Sequence, residues 1–183
     1  MPARILSAAL LELGEDRITS ADQDSERARV VSALYEGERD ALLEEHPWNF
    51  AVARAELARA AGGPCYGYAN RFMLPPDCLH VIETDPDARY AVEGQCLLAD
   101  ARGVRVRYVR RVTVVSEMPP TFRSALAARI AARAARKITG SSAEKERMEA
   151  LYRERLRTAK GRDAQGGGRP ESIRPDAFIR ARG

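Results

Sequence analysis

The stretch from Met118 to Ile138, MPPTFRSALAARIAARAARKI, constrains the fold more than any other part of the sequence. Pro119 and Pro120 end the segment before it, because proline lacks an amide hydrogen and fixes φ. Thr121 is predicted to cap the helix that follows, since threonine side chains accept hydrogen bonds from the first turn. The chain then continues to Thr139 without glycine, proline or an acid. Its composition favours a helix over residues 121–139.

The side chains of this predicted helix divide into an apolar stripe and a basic remainder. Apolar residues recur every four positions, at Phe122, Leu126, Ile130, Ala134 and Ile138, and therefore lie along one face. Alanines beside the stripe allow neighbouring backbones to approach closely. The charged residues are all basic: Arg123, Arg129, Arg133, Arg136 and Lys137. The pattern predicts a central helix that is packed on more than one side.

Three further helices are predicted from apolar residues at helical spacing. They span about residues 3–13, 24–45 and 143–160. Gly14 marks the end of the first and Pro47 the end of the second, because glycine ends helices and the residue before proline avoids helical geometry. The short connection between 121–139 and 143–160 predicts an antiparallel helical hairpin.

Between residues 64 and 115 the pattern changes to short apolar stretches separated by turn residues. Alternation is clearest in VRVRYVRRV (104–112), and Gly94 and Gly103 are predicted hairpin turns. The predicted strands are Arg71–Leu74, Cys78–Glu83, Tyr90–Val92, Cys96–Ala99 and Val104–Arg110. The predicted fold is mainly α with a small β insertion (α+β). It is an antiparallel helical bundle with antiparallel strands, forming one small sheet, inserted between its N-terminal and C-terminal helix pairs.

Four aromatic residues are the predicted core anchors. Trp48, the only tryptophan, and Phe50 follow the second helix in the segment HPWNFA. Phe72 lies in the first predicted strand and Phe122 begins the central stripe. A tryptophan beside a helix end is more often packing than a binding platform, and we interpret Trp48 and Phe50 as packing residues.

The charge distribution is uneven along the chain. Residues 1–63 hold seven basic and twelve acidic residues, a net charge of −5, whereas residues 102–139 hold ten basic residues and one acid, a net charge of +9. Such a split favours either nucleic-acid binding or association between copies of the chain. The predicted subunit or DNA contacts are Arg105, Arg107, Arg129, Arg133 and Arg136. For the three on the central helix we favour subunit contacts.

The sequence contains none of the motifs that carry common catalytic chemistry. It has no phosphate-binding or dinucleotide-binding glycine motif, no HExxH and no GxSxG. The three cysteines form no CxxC pair, and a zinc site needs four closely arranged ligands. Charges interrupt every apolar window, so no membrane span is predicted. We therefore expect neither an enzyme nor a bound cofactor or metal.

Residues 161–183 differ in composition from the rest of the chain. They contain GGG at 166–168, two prolines and five arginines, which predicts a flexible segment. Its last apolar pair is flanked by arginines, and a docking arm or a merely disordered end both fit. The arm residues are Arg174, Phe178, Ile179, Arg180 and Arg182.

The ordered set of segments resembles a known family of phage proteins. HPWNFA (46–51) is followed by GYANRFMLPPDCLHVI (67–82), YAVEGQCLLAD (90–100), VRVRYVRRV (104–112) and EMPPTFRSALAARIAARAARKIT (117–139). In this order the segments are similar to those of the tail tubular protein A family, the head-to-tail adaptors of short-tailed bacteriophages. The resemblance covers residues 5 to 158.

The resemblance implies a structural virion protein whose adaptor domain spans residues 1–160. It implies a helical bundle with a β insertion and assembly into a dodecameric ring. The ring would join the portal protein to the tail nozzle protein and contact the phage DNA without sequence preference, with residues 161–183 docking on the portal. Assembly in the host cytoplasm and a final place in the virion follow from the same likeness. The free chain's oligomeric state stays open.

A second interpretation is a basic nucleic-acid-binding protein without catalysis. It predicts that the isolated chain binds DNA with an affinity that falls steeply as salt rises. A third, a small hydrolase acting through carboxylates, requires two or more acids to converge in a pocket. The adaptor is the leading hypothesis.

Overall fold

The computed structural model describes residues 2–16, 25–87 and 89–166. Within these residues the chain forms four α-helices, namely α1 (Ala3–Glu12), α2 (Glu26–Glu44), α3 (Pro120–Thr139) and α4 (Ser142–Gly166). Six strands lie between α2 and α3. They are β1 (Val52–Glu56), β2 (Asn70–Met73), β3 (Cys78–Asp85), β4 (Tyr90–Glu93), β5 (Cys96–Ala99) and β6 (Arg105–Arg110). The predicted class, a mainly helical fold with β structure inserted between two helix pairs, is confirmed.

The helix α3 is the centre of the helical body, which consists of α1 to α4. It packs against all three other helices. Phe122, Leu126, Ile130 and Ala134 of the predicted stripe are buried, and most of the flanking alanines are buried as well. Small side chains on the flanks let three neighbours approach one helix, as the composition predicts.

The helix ends differ from the prediction in two places. The first helical residue of α3 is Pro120, and Pro119 occupies the N-cap position without a side-chain cap, so Thr121 is not the cap. Proline is well suited to the first turn, because the missing amide would have no partner there. The helix α4 continues to Gly166, beyond the predicted end at residue 160. Gly140, with φ of 71°, separates α3 from α4 in a left-handed conformation that glycine adopts without strain.

The β insertion consists of two sheets, not one. The first sheet has the order β1-β6-β3 and the second has the order β2-β5-β4, and all neighbouring strands are antiparallel. Gly94, with φ of 59°, forms the predicted hairpin turn between β4 and β5. The predicted hairpin at Gly103 is wrong, because β5 and β6 belong to different sheets. The strand β1 was not predicted, so the β structure begins at Val52, before residue 64.

Two hydrophobic cores hold the described residues together. The larger is the core of the helical body, and it includes Trp48, Phe122 and Met148. The smaller lies between the two sheets, which together form the sheet module, and includes Phe72 and Leu97. Strand β6 contributes to both, since Val109 joins the helical core while Val106 and Tyr108 join the sheet core. The two halves of the fold are therefore joined through this strand.

Candidate interaction surfaces

A cluster of polar side chains joins α2, α3 and α4 around Arg129. Its Nε lies 2.5 Å from Glu38 Oε2, and its Nη1 lies 2.8 Å from Glu45 Oε2. The same Nη1 donates to the Tyr152 hydroxyl at 2.6 Å, and that hydroxyl donates to Glu45 Oε2 at 2.7 Å. We call these four residues the Arg129 cluster. Each helix of the trio supplies at least one member, so the cluster fixes their relative positions.

Burial and hydrogen bonding shift the pKa values of this cluster. Burial by itself lowers the pKa of Arg129, but the hydrogen bonds to Glu38 and Tyr152 outweigh it and raise the value above the ordinary one. Burial, together with the hydrogen bond to Glu45, raises the pKa of Tyr152 to about 12. Arg129 and Tyr152 therefore both stay protonated at neutral pH and keep the hydrogen bonds that they donate.

The prediction that Arg129 contacts another subunit or DNA needs correction. Its side chain is only 14% exposed, and its guanidinium is bound to Glu38, Glu45 and Tyr152 of the same chain. Arg133 is 58% exposed and reaches Glu38 at 3.2 Å. Arg136 is exposed and pairs with no acid among the residues that the structure describes. Of the three, Arg133 and Arg136 remain available for an external partner.

The first sheet presents a charged face whose six ionisable residues stand in two cross-strand rows. One row is Arg54, Arg107 and Glu83, and the other is Glu56, Arg105 and Asp85. Arg107 Nε lies 2.7 Å from Glu83 Oε1, and Arg105 Nη2 lies 2.7 Å from Asp85 Oδ2. These residues line a groove of about 410 Å³. Three bases and three acids give it no net charge.

The arginines of the basic stretch 104–112 are all paired with acids of their own chain. Besides the two pairs on the charged face, Arg110 bonds Glu117 at 2.6 Å and Arg111 bonds Asp40 at 2.8 Å. Of these acids only Asp40 belongs to the acidic first part, which is also joined to the basic second part by Arg129 with Glu38 and Glu45 and by Lys137 with Glu26. The net charge of +9 overstates the positive potential that this region offers to a partner.

Three of the four predicted anchors form one aromatic cluster. The rings of Trp48 and Phe122 lie 5.1 Å apart edge to face, and those of Phe50 and Phe122 lie 4.9 Å apart. Trp48 Nε1 donates to the Leu42 carbonyl at 2.8 Å, which satisfies its one polar atom. Trp48 and Phe122 are buried, whereas Phe50 is half-buried. Phe72 is also buried, but in the sheet core.

A clamp that sequence reasoning missed holds the end of α4 against the segment HPWNFA. Asp163 accepts a hydrogen bond from the Asn49 amide at 3.0 Å, and His46 Nε2 lies 3.0 Å from the other carboxylate oxygen. The Asn49 side-chain amide donates to the Asp163 carbonyl at 2.6 Å. Gly161 weakens the helix by about 1 kcal/mol relative to alanine. The contacts of Asp163 stabilise the turn that follows and offset this cost. No local pattern indicates them, because more than one hundred residues separate the partners.

The predicted arm residues Arg174, Phe178, Ile179, Arg180 and Arg182 lie outside the described residues. Within residues 2–16, 25–87 and 89–166, no three histidine, cysteine or acidic side chains are grouped in a way that would hold a metal ion. The three cysteines are free thiols. None of the described helices is both long enough and apolar enough to cross a membrane.

In comparisons with known proteins, no family model matches this sequence, and no curated protein matches it significantly.

Proposed function

We propose that this chain is a structural head-to-tail adaptor, which assembles as a ring between a portal protein and the tail nozzle of a short-tailed bacteriophage. The observation that carries the proposal is an agreement of architecture. The resemblance drawn from five ordered segments implies a helical bundle with a β insertion, and the described residues have that architecture. A fold by itself does not determine a function, so the proposal needs support from the surfaces as well.

The quoted segments build the connections between the helical body and the sheet module. HPWNFA turns the chain from α2 into β1, VRVRYVRRV contains the strand shared by both cores, and EMPPTF leads from the sheets into α3. A rigid junction between two parts suits a protein that must hold two different neighbours at fixed positions. The groove of the first sheet does bring three acids together, Glu56, Glu83 and Asp85. Glu83 and Asp85 are paired with Arg107 and Arg105 across the strands, which favours a structural role for this face over general acid–base chemistry.

The end of α4 supports a docking arm that begins after Gly166, because residues 161–166 of the predicted arm belong to the helix. The clamp at Asp163 fixes the point from which the last residues leave the helical body. An arm that begins at a fixed point loses less conformational entropy when it docks, because only the residues beyond that point must be ordered. In the proposed ring each subunit would present its arm at an equivalent position, as closed symmetry requires.

The direct test mixes the full-length chain with its cognate assembled portal and measures the mass of the complex by light scattering after size exclusion. The expected result is a stable complex whose added mass equals a ring of subunits, twelve if the resemblance holds. The double variant Phe178→Ser with Ile179→Ser is expected to bind much more weakly, whereas Ile173→Ser, which alters an apolar residue outside the pair, is the matched control. No association by the unmodified chain would overturn the adaptor proposal.

The nucleic-acid alternative rests mainly on the basic stretch 104–112. It is weakened because the arginines of that stretch are paired with acids of the same chain. Titration of the full-length chain with duplex DNA at increasing salt separates the two proposals. The adaptor account expects weak binding by the free subunit. Tight binding that falls steeply with salt, together with no binding to the portal, would favour the alternative.

A further inference from the structure

An apolar pocket lies where α4 ends. It has a volume of about 220 Å³. Its lining combines the almost fully buried Trp48, Phe122 and Ala159 with the more accessible Phe50, Pro119 and Thr121 and the polar Asn49, Arg162 and Asp163. Gly166, the last described residue, lies on its rim. The pocket is therefore next to the point where residues 167–183 continue the chain.

The walls of this pocket are rigid. The edge-to-face contacts of Phe122 with Trp48 and with Phe50 fix the three rings relative to each other. The indole N–H of Trp48 is held by the Leu42 carbonyl, and the clamp at Asp163 holds the last turns of α4 against the same rings. A preformed apolar concavity of this kind favours apolar side chains, in particular an aromatic one that can continue the edge-to-face packing.

The remaining part of the chain holds one residue of that kind. Phe178 is the only aromatic residue in 167–183, and Ile179 follows it directly. Phe178 lies twelve residues beyond Gly166, because 178 − 166 = 12. A chain of twelve residues spans about 40 Å at most and about 19 Å on average for a random coil. A return to a pocket beside Gly166 is well within this reach.

We propose that Phe178 and Ile179 occupy this pocket in the free protein, folded back on their own chain. The proximity of Gly166 favours the same chain as the source, because a tethered segment has a high effective concentration at a site beside its root. The inference goes beyond the proposed adaptor role and does not depend on it. If the chain does bind a portal, the apolar pair is covered until the portal competes for it, and docking then exchanges one apolar contact for another.

The test uses nuclear magnetic resonance on the free full-length chain, with no portal present. Trp48 is the only tryptophan, so its indole N–H gives a single, assigned cross-peak that reports on the pocket. The expected result is a set of nuclear Overhauser contacts between the Phe178 ring and the rings of Phe50 or Trp48. Phe178→Ser should remove these contacts and shift the Trp48 cross-peak, while the control Ile173→Ser should leave both unchanged.

Three results would overturn the inference. The first is the absence of these contacts in the unmodified chain, together with a Trp48 cross-peak that Phe178→Ser does not move. The second is a contact seen only between differently labelled copies in a mixed sample, because the occupant would then come from a neighbouring chain. The third is an equal shift from Ile173→Ser, which would show a general effect of the segment. Because no portal is used, failure here leaves the adaptor proposal untouched.

Discussion

The helical body and the sheet module of this protein contain the same kinds of residues but are stabilised in different ways. In the helical body, one continuous core runs from α1 through α3 to α4 and includes the aromatic cluster around Phe122. In the sheet module, a smaller core lies between two three-stranded sheets. We expect the larger core to determine the stability of the helical body, and the smaller one mainly that of the sheets that enclose it.

The arginines of the helical body and of the sheet module also differ in how deeply they are buried. Arg129 in the helical body is nearly buried, and it joins residues from three helices. Arg105 and Arg107 in the sheet module make exposed or half-exposed pairs with carboxylates on the neighbouring strand. Exposed pairs contribute little to stability, since water and salt screen them, whereas breaking a buried pair leaves an unpaired group with no solvent to replace it. Burial, not residue type, decides what an arginine does here.

The largest predicted effect comes from truncating the two core phenylalanines. Phe122→Ala should reduce the free energy of unfolding by about 3–5 kcal/mol, because it leaves a cavity in a close-packed core. Phe72→Ala opens a similar cavity, but in the sheet core. Amide hydrogen exchange is the measurement: Phe122→Ala should lower protection throughout α3 and α4, and Phe72→Ala should lower it mainly in β2, β4 and β5.

A matched control is Tyr66→Ala, which truncates an aromatic side chain that is 86% exposed. Its effect on the free energy of unfolding should stay within about 0.5 kcal/mol. Equal loss of protection in α3 from both core substitutions would show that the two cores unfold as one unit, and the comparison between them would be wrong.

The next effect concerns the Arg129 cluster. Arg129→Met should lower the free energy of unfolding by about 3 kcal/mol, because Glu38 is only 15% exposed and would lose its main partner. Arg133→Met, on the same helix but largely exposed, should cost less than about 1 kcal/mol. Chemical denaturation of both variants measures the difference. Similar values for the two would contradict the burial argument.

A smaller effect is expected on the charged face of the first sheet. Arg107→Met breaks a cross-strand pair with Glu83 and should cost at most about 1 kcal/mol, an effect that shrinks further in high salt. Denaturation at low and high ionic strength measures it. A loss as large as that of Arg129→Met would mean that the sheet module depends on this pair more than its exposure indicates.

The last prediction is a pH dependence from Tyr152. The pKa of this tyrosine is raised to about 12, whereas that of an unfolded tyrosine is about 10. Native Tyr152 therefore keeps its proton where the unfolded chain has lost it. The resulting stabilisation is complete below the unfolded value and disappears as the pH rises through the folded one. Tyr152→Phe should make the loss of stability between these values less steep, and the exposed Tyr66→Phe should leave it unchanged.

The helices could be predicted from the sequence because their signals are local. The four-residue repeat of α3 and the stop at Gly14 lie within single segments, and the structure contains them. The strand β1 was missed because VARAE has one β-branched residue, Val52, and no aromatic residue, which is a weak strand signal. The division of the strands into two sheets could not be predicted, because strand pairing joins distant segments and alternation alone does not specify the partner strand.

The pairing of charges could not be predicted for the same reason. Glu38 and Arg129 are separated by 91 residues, and nothing near either residue indicates the other. Sequence counts gave the two parts opposite net charges, which suggested attraction between copies. The fold brings several of these residues together inside one chain, among them Arg129 with Glu38 and Arg111 with Asp40, so part of the attraction is satisfied within it. The clamp at Asp163 depends equally on contacts between distant segments.

The measurement that tests the central proposal most directly is electron microscopy of the cognate portal mixed with an excess of this chain. The adaptor account predicts a ring of equivalent subunits stacked on one end of the portal, with the end of α4 facing it. Portal particles that show no added ring at saturating concentrations of the chain would contradict the account.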